Sequence, residues 1–300
     1  AAVVVGGRSA DKKGHPASPC AACLPGPGPD GMLKPDVSWF STLRMIGGVV
    51  ATGSSYATAI MSSLAAHTHA NLRSPSPDIV KALLINSSEL DAHDARLGWG
   101  TPYHGVLPWT CKPGTVTMAW RAHLQPGANY YWNDIPIPPQ LIRNGKLYGR
   151  AGLTAILNPL VSPLGGANYF ASRLQTSLQY HNGKDWAPLL GSMQESSLKE
   201  LDARDDLKKW NPVRRHSRDF AKRSGIKFSG NTFRLFARVF TRDLYQFGWT
   251  HHSSAGPQEV AFVLSLESAD GSDGIYGSMV QHLGSFVESA VLNQDIEISS

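Results

Sequence analysis

The string Gly53-Ser54-Ser55-Tyr56-Ala57 places a hydroxyl where a glycine-containing loop enters an alanine-rich stretch continuing through Ala59, Ser62, Ala65 and Ala66. At such a junction the unpaired backbone N–H groups of a helix terminus, together with its dipole, can stabilise an oxyanion, so Ser55 is a candidate nucleophile with Gly53 and Ser54 as its motif neighbours. A plain serine N-cap is the simpler reading of the pentapeptide alone. Cys20-Ala-Ala-Cys23 has the spacing of a redox or zinc half-site. No second such pair and no paired histidine completes it, and Cys111 stands apart, so these read as reduced thiols in a loop. No base for Ser55 is convincing in the sequence. His67 and His69 fall on the helix that Ser55 begins, about three turns on and roughly 18 Å away by helical rise. His104-Gly105 follows the serine at the end of its segment, and Asp30 and Asp36 sit in loop context as turn formers. Adjacent His251 and His252 would face opposite sides of a strand, and Asp270 to Gly274 reads as a hairpin turn rather than a calcium loop. Neither a metal nor a cofactor is expected.

The elements that must hold these residues read in two blocks. Residues 1–107 alternate strand, loop and helix, the signature of an α/β layer architecture. Ala1 to Val5 reads as a buried strand with no turn or cap before it, and therefore as a chain missing its beginning. A loop rich in Pro and Gly follows, from Pro16 to Gly31. A second helix is signalled by Ser76-Pro77-Asp78 and the apolar face Ile79, Val80, Leu83 and Leu84. Ser55 is expected at the N-terminus of a largely buried helix, beside the C-terminal end of a parallel strand formed by Ala2 to Val5.

Beyond Pro108 the hydrophobic period changes to two, as in Val116, Met118, Trp120 and Leu124, or Leu174, Thr176, Leu178 and Tyr180. Short alternating runs separated by Gly, Pro and Asn clusters predict an antiparallel β-sandwich over residues 112–300. Eight basic residues between Lys208 and Lys227, with Trp210 and Phe220 among them, read as a solvated surface diluted by Asp205, Asp206 and Asp219, and nucleic acid is not the expected partner. The net charge of +5 permits acidic partners without demanding them, and no run approaches the eighteen apolar residues of a membrane span.

Five ordered segments carry a resemblance to the subtilase (subtilisin-like) serine peptidases: Val4-Val5-Gly6-Gly7, Lys34-Pro35-Asp36-Val37, Gly53-Ser54-Ser55-Tyr56-Ala57, Pro77 to Ser88, and Gly98-Trp99-Gly100. The resemblance implies a serine endopeptidase acting on a peptide or protein through an acyl-enzyme on Ser55. It implies that residues 1–107 are the C-terminal part of a subtilisin-like parallel-sheet domain, so the expected fold class is α/β followed by an all-β sandwich. The family's Asp, His and oxyanion Asn would all precede Ala1. Ser54 stands where the family usually has Thr, Ala59 where it has Pro, and Ser38-Trp39-Phe40 replaces Ala-Pro-Gly, so the substrate-side loop departs from the pattern. The layout is most similar to bacterial subtilases found with an AAA-family ATPase partner, which implies a cytoplasmic enzyme, with a secreted one as the alternative. The competing reading is a non-catalytic protein in which the peptidase segment is a relic and the sandwich binds a partner.

Overall fold

The computed structural model describes residues 2–28, 31–102, 106–161, 169–191, 199–205, 208–222, 224–242, 256–271, 274–283 and 297–299. The chain divides into two compact units, Ala1–Thr110 and Cys111–Ser300.

The first unit begins with β1 (Val5–Ala10) and β2 (Pro16–Pro19). Between them Asp11 accepts hydrogen bonds from the backbone N–H groups of Lys13 and His15, and Gly14 adopts φ +83°, so the chain folds back and β2 pairs antiparallel with β1. The Pro- and Gly-rich loop then returns the chain on the other side of β1, where β3 (Val37–Phe40) runs parallel to it in the register Val5 to Val37 through Arg8 to Phe40. A hairpin of β4 (Thr42–Arg44) and β5 (Val50–Thr52) leads directly into α1 (Ser54–Ala70), and α2 (Pro77–Asn86) follows. Pro77 in the first turn, Asp78 at the positive end of the dipole, and Ser76 Oγ accepting from Ile79 N at 3.1 Å fix the start of α2. Residues Ile79 through Ile85 are all buried.

These observations overturn the expected α/β class and the C-terminal part of a subtilisin-like parallel-sheet domain. Among the described residues strand accounts for 43% and helix for 18%, the sheets are mostly antiparallel, and parallel pairing is confined to β1 and β3. The physical reason lies in the connections: β2 doubles back on β1, and a loop rather than a crossover helix separates β2 from β3, so no βαβ unit forms. The first strand also starts later than Ala2. Val4 N donates to the Asp36 carboxylate at 2.8 Å, and ladder pairing begins at Val5. Nor is α1 largely buried, since Ala57, Met61 and Thr68 form a narrow stripe and most remaining positions are exposed or half-buried. Its small side chains let it lie close on β1 and β3 without covering it further.

The second unit comprises β6 (Thr115–Leu124), β7 (Asn129–Pro136), β8 (Ile142–Arg143), β9 (Lys146–Leu147), β10 (Gly149–Leu157), β11 (Ser172–His181), β12 (Trp186–Leu190), α3 (Glu200–Asp205), β13 (Val213–Asp219), β14 (Ile226–Lys227), β15 (Ser229–Thr241), β16 (Gln258–Ser268), α4 (Gly274–Leu283) and β17 (Glu297–Ser299). Two antiparallel sheets, β13-β10-β16-β6 and β12-β11-β15-β7-β17, enclose one core, and β14-β9-β8 form a small ribbon. Register aligns Trp120 with Phe262, whose rings stack at 5.3 Å, and Trp132 from the facing sheet meets Phe262 edge-on at the same distance. Such contacts add about 0.5–1.5 kcal/mol per pair to the burial of the rings themselves. Ile275 and Met279 of α4 belong to the same core.

Candidate functional site

Ser55 occupies the second position of α1, one residue after Ser54 opens the helix. Gly53 precedes them in an extended conformation, with Gly53 N donating to Ser41 O at 2.9 Å and Tyr56 N to Gly53 O at 3.1 Å. No side chain caps this terminus, and no acid lies in its first turn. The contrast with α2 is instructive, because there Ser76 and Asp78 occupy the equivalent places. The positive end of α1 is thus left open at a solvent-exposed Ser55, where a developing negative charge would be stabilised. Gly53 has no steric requirement to be glycine: a Cβ there would meet just the Tyr56 ring, at 3.9 Å. Among the described residues, no imidazole, carboxylate or amine hydrogen-bonds Ser55.

Elsewhere in the first unit, the segments singled out in the sequence are tied together by buried charge. Asp36 is not a turn former in a loop but a buried anion. It accepts from Val4 N at 2.8 Å, from Lys34 Nζ at 2.9 Å and from Lys81 Nζ at 3.1 Å. Lys81 Nζ also donates to Ala2 O at 2.9 Å, and burial pushes its pKa down although the Asp36 charge pulls it back up. A second link joins Arg8 of β1 to the Glu89 carboxylate, which also accepts from Thr101 N. Gly98, at φ +64°, carries the chain so close to Asp36 that a Cβ would sit 2.6 Å from its carbonyl, and Trp99 N donates there at 3.0 Å. Sequence reasoning missed Lys81 and Glu89. The lone Lys81 within Ile79-Val80-Lys81-Ala82-Leu83-Leu84 was a usable signal, since a lysine inside an apolar run needs a buried counter-charge.

The thiols lie at the same helix start. Cys20 is buried, Cys23 half-buried, and both are free. Both pack over the strand residue Gly7, where a Cβ would sit 2.7 Å from Cys23 Sγ, 2.8 Å from Ser41 Cβ and 3.0 Å from Cys20 Cβ, and Cys23 lies near Ser54.

The remaining candidates are not brought to Ser55. His67 and His69 lie in the last turn of α1. Asp30, His104, Gly105, His251, His252, Ser272 and Asp273 lie outside the described residues, as do Asp206 and Arg223 of the basic run. That run is not simply a solvated surface. Arg214 is buried, donating to Leu174 O at 2.9 Å and Lys209 O at 2.6 Å, and Trp210 lies under the Arg242 guanidinium at 3.5 Å. His93, unremarked in the sequence, has Nε2 2.8 Å from Pro35 O and braces the loop, with its pKa held down by burial. Among the described residues, no three His, Cys, Asp or Glu side chains gather as a metal site, and no helix is long and apolar enough to cross a membrane. No protein-family model and no curated protein matches the chain.

Proposed function

We propose that the first unit carries the nucleophile of a serine endopeptidase, with Ser55 as the attacking residue and a peptide or protein as substrate. The observation that carries the reading is the open, uncapped N-terminus of α1 with an exposed hydroxyl on its first turn. In this mechanism Ser55 Oγ adds to the scissile carbonyl and the Ser55 N–H stabilises the resulting oxyanion. Collapse to the acyl-enzyme expels the amine, and water then releases the acid. A general base must take the hydroxyl proton, and a carboxylate must hold that base in its working tautomer. The resemblance to subtilases implies that an Asp, a His and an oxyanion Asn, each N-terminal to the serine, supply these groups. An AAA-family ATPase as partner rests on that resemblance alone.

The rival reading, a non-catalytic binding protein, draws on the lack of a described base hydrogen-bonded to Ser55. Peptide hydrolysis separates the two. The full-length protein is expected to cleave an unstructured protein substrate, and Ser55→Ala is expected to lower that rate by several orders of magnitude while leaving the fold intact. A full-length protein containing Asp, His and Asn in family order that cleaves nothing would favour the binding protein.

A further inference from the structure

We propose that Cys20 and Cys23 form a redox-sensitive dithiol, a site of reversible oxidation by hydroperoxides seated against the first residue of α1. The inference stands apart from the peptidase reading and rests on how the chain packs the two side chains.

Cys20 follows β2 directly, and its N–H donates to Gly7 O at 2.9 Å, which pins it against β1. Cys23 N donates to Cys20 O at 3.3 Å and closes a turn. Such turns hold their end Cα atoms within about 7 Å, a span that overlaps the roughly 4.4–6.8 Å a disulfide requires. Both side chains then lie over Gly7. A Cβ at that position would be 2.7 Å from Cys23 Sγ and 3.0 Å from Cys20 Cβ, so the missing glycine side chain is the space the thiol pair fills.

The hydrogen bonding divides the labour between the sulfurs. Burial opposes charge on Cys20, yet hydrogen bonds from Cys23, the Ala22 backbone and Ser41 outweigh it and hold this thiol below its ordinary pKa. Cys23 is pushed the other way, by burial first and then by sharing a hydrogen bond with Cys20. A more acidic thiol beside a less acidic one suits sequential oxidation, the first reacting through its thiolate form. Cys20, as its thiolate, attacks the peroxide O–O bond; an S–O bond forms as O–O breaks, the departing oxygen takes up one proton and leaves as water (or an alcohol), and a sulfenic acid remains on Cys20. Cys23 then displaces hydroxide from the sulfenic sulfur, its own proton completing a second water, and the S–S bond closes. One dithiol and one hydroperoxide give one disulfide, with the peroxide reduced by two electrons. Cys20 is 7% exposed, which admits a small oxidant rather than a protein disulfide.

The test is differential alkylation of the reduced chain after titration with hydrogen peroxide, read by mass spectrometry of the peptide containing both thiols. The expected product is about 2 Da lighter than the reduced peptide, carries no alkyl adduct, and returns to two adducts after dithiothreitol, while Cys111 keeps its adduct throughout. In Cys23→Ser, dimedone should trap a sulfenic acid on Cys20. Retention of both adducts at peroxide concentrations that already oxidise Cys111, or separate oxidation of the two sulfurs without a bridge, would overturn the proposal.

Discussion

The two units solve the same problem with different materials. In the second, Trp120, Trp132 and Phe262 meet across two sheets, and the buried surface is dominated by large apolar side chains. In the first, the sheet has three short strands, and its elements are tied by Asp36 with Lys34 and Lys81, and by Arg8 with Glu89. Apolar packing tolerates small displacements, whereas a buried charge with several partners has one good geometry and a large penalty elsewhere. The unit with less core thus relies on directional contacts, and it is also the unit with an uncapped helix start bearing an exposed hydroxyl.

The comparison is open to attack at several points. Asp36→Ala leaves two ammonium groups facing a buried space and should cost about 3–5 kcal/mol. Hydrogen exchange should show the loss in residues 4–8 and 36–40. Trp120→Ala should cost a similar 3–5 kcal/mol or so through a cavity, with lost protection in β6, β7 and β16 instead. Exchange that rises equally throughout both units in each variant would erase the distinction.

The second unit has a titratable weak point in His216 of β13, whose pKa is lowered from 6.5 to about 4 by burial and then by the Arg214 charge. Between those values the unfolded chain binds the proton more readily than the folded one, so stability is full above about pH 6.5 and falls as pH drops toward 4. The expected loss is ~3 kcal/mol by the low end of that window, and His216→Gln should flatten the dependence. Urea titrations at several pH values measure it. Smaller again is Gly7→Ala, whose methyl would press on Cys23 Sγ and Ser41 Cβ, at about 1–3 kcal/mol by thermal unfolding. The smallest contrast is between two serines at helix starts. Ser76→Ala removes a cap and should cost about 1 kcal/mol, while Ser55→Ala, exposed and with no capping bond, should stay within about 0.5 kcal/mol.

The period-two runs of the second unit could be read directly because Val116, Met118, Trp120 and Leu124 alternate along a single strand, and alternation is a local property. The α2 helix was legible for the same reason, its Ser76-Pro77-Asp78 start being written in three consecutive residues. Sheet direction in the first unit was not. Whether β2 continues away from β1 or doubles back depends on the turn at Asp11 to Gly14, which has little hydrophobic pattern of its own. The buried role of Asp36 was equally hidden, since its partner Lys81 lies forty-five residues away. Of the candidate site, the position of Ser55 at a helix start was readable, while the neighbouring thiols came to it through a loop whose path no local pattern encodes.

Active-site labelling tests the central claim most directly, because a fluorophosphonate reacts with a serine only when a base has activated it. The 300-residue chain is expected to remain unlabelled. The full-length protein should incorporate one probe, on the peptide containing Ser55, and lose that label in Ser55→Ala. A label that persists in Ser55→Ala, or that maps to any other residue, would contradict the account.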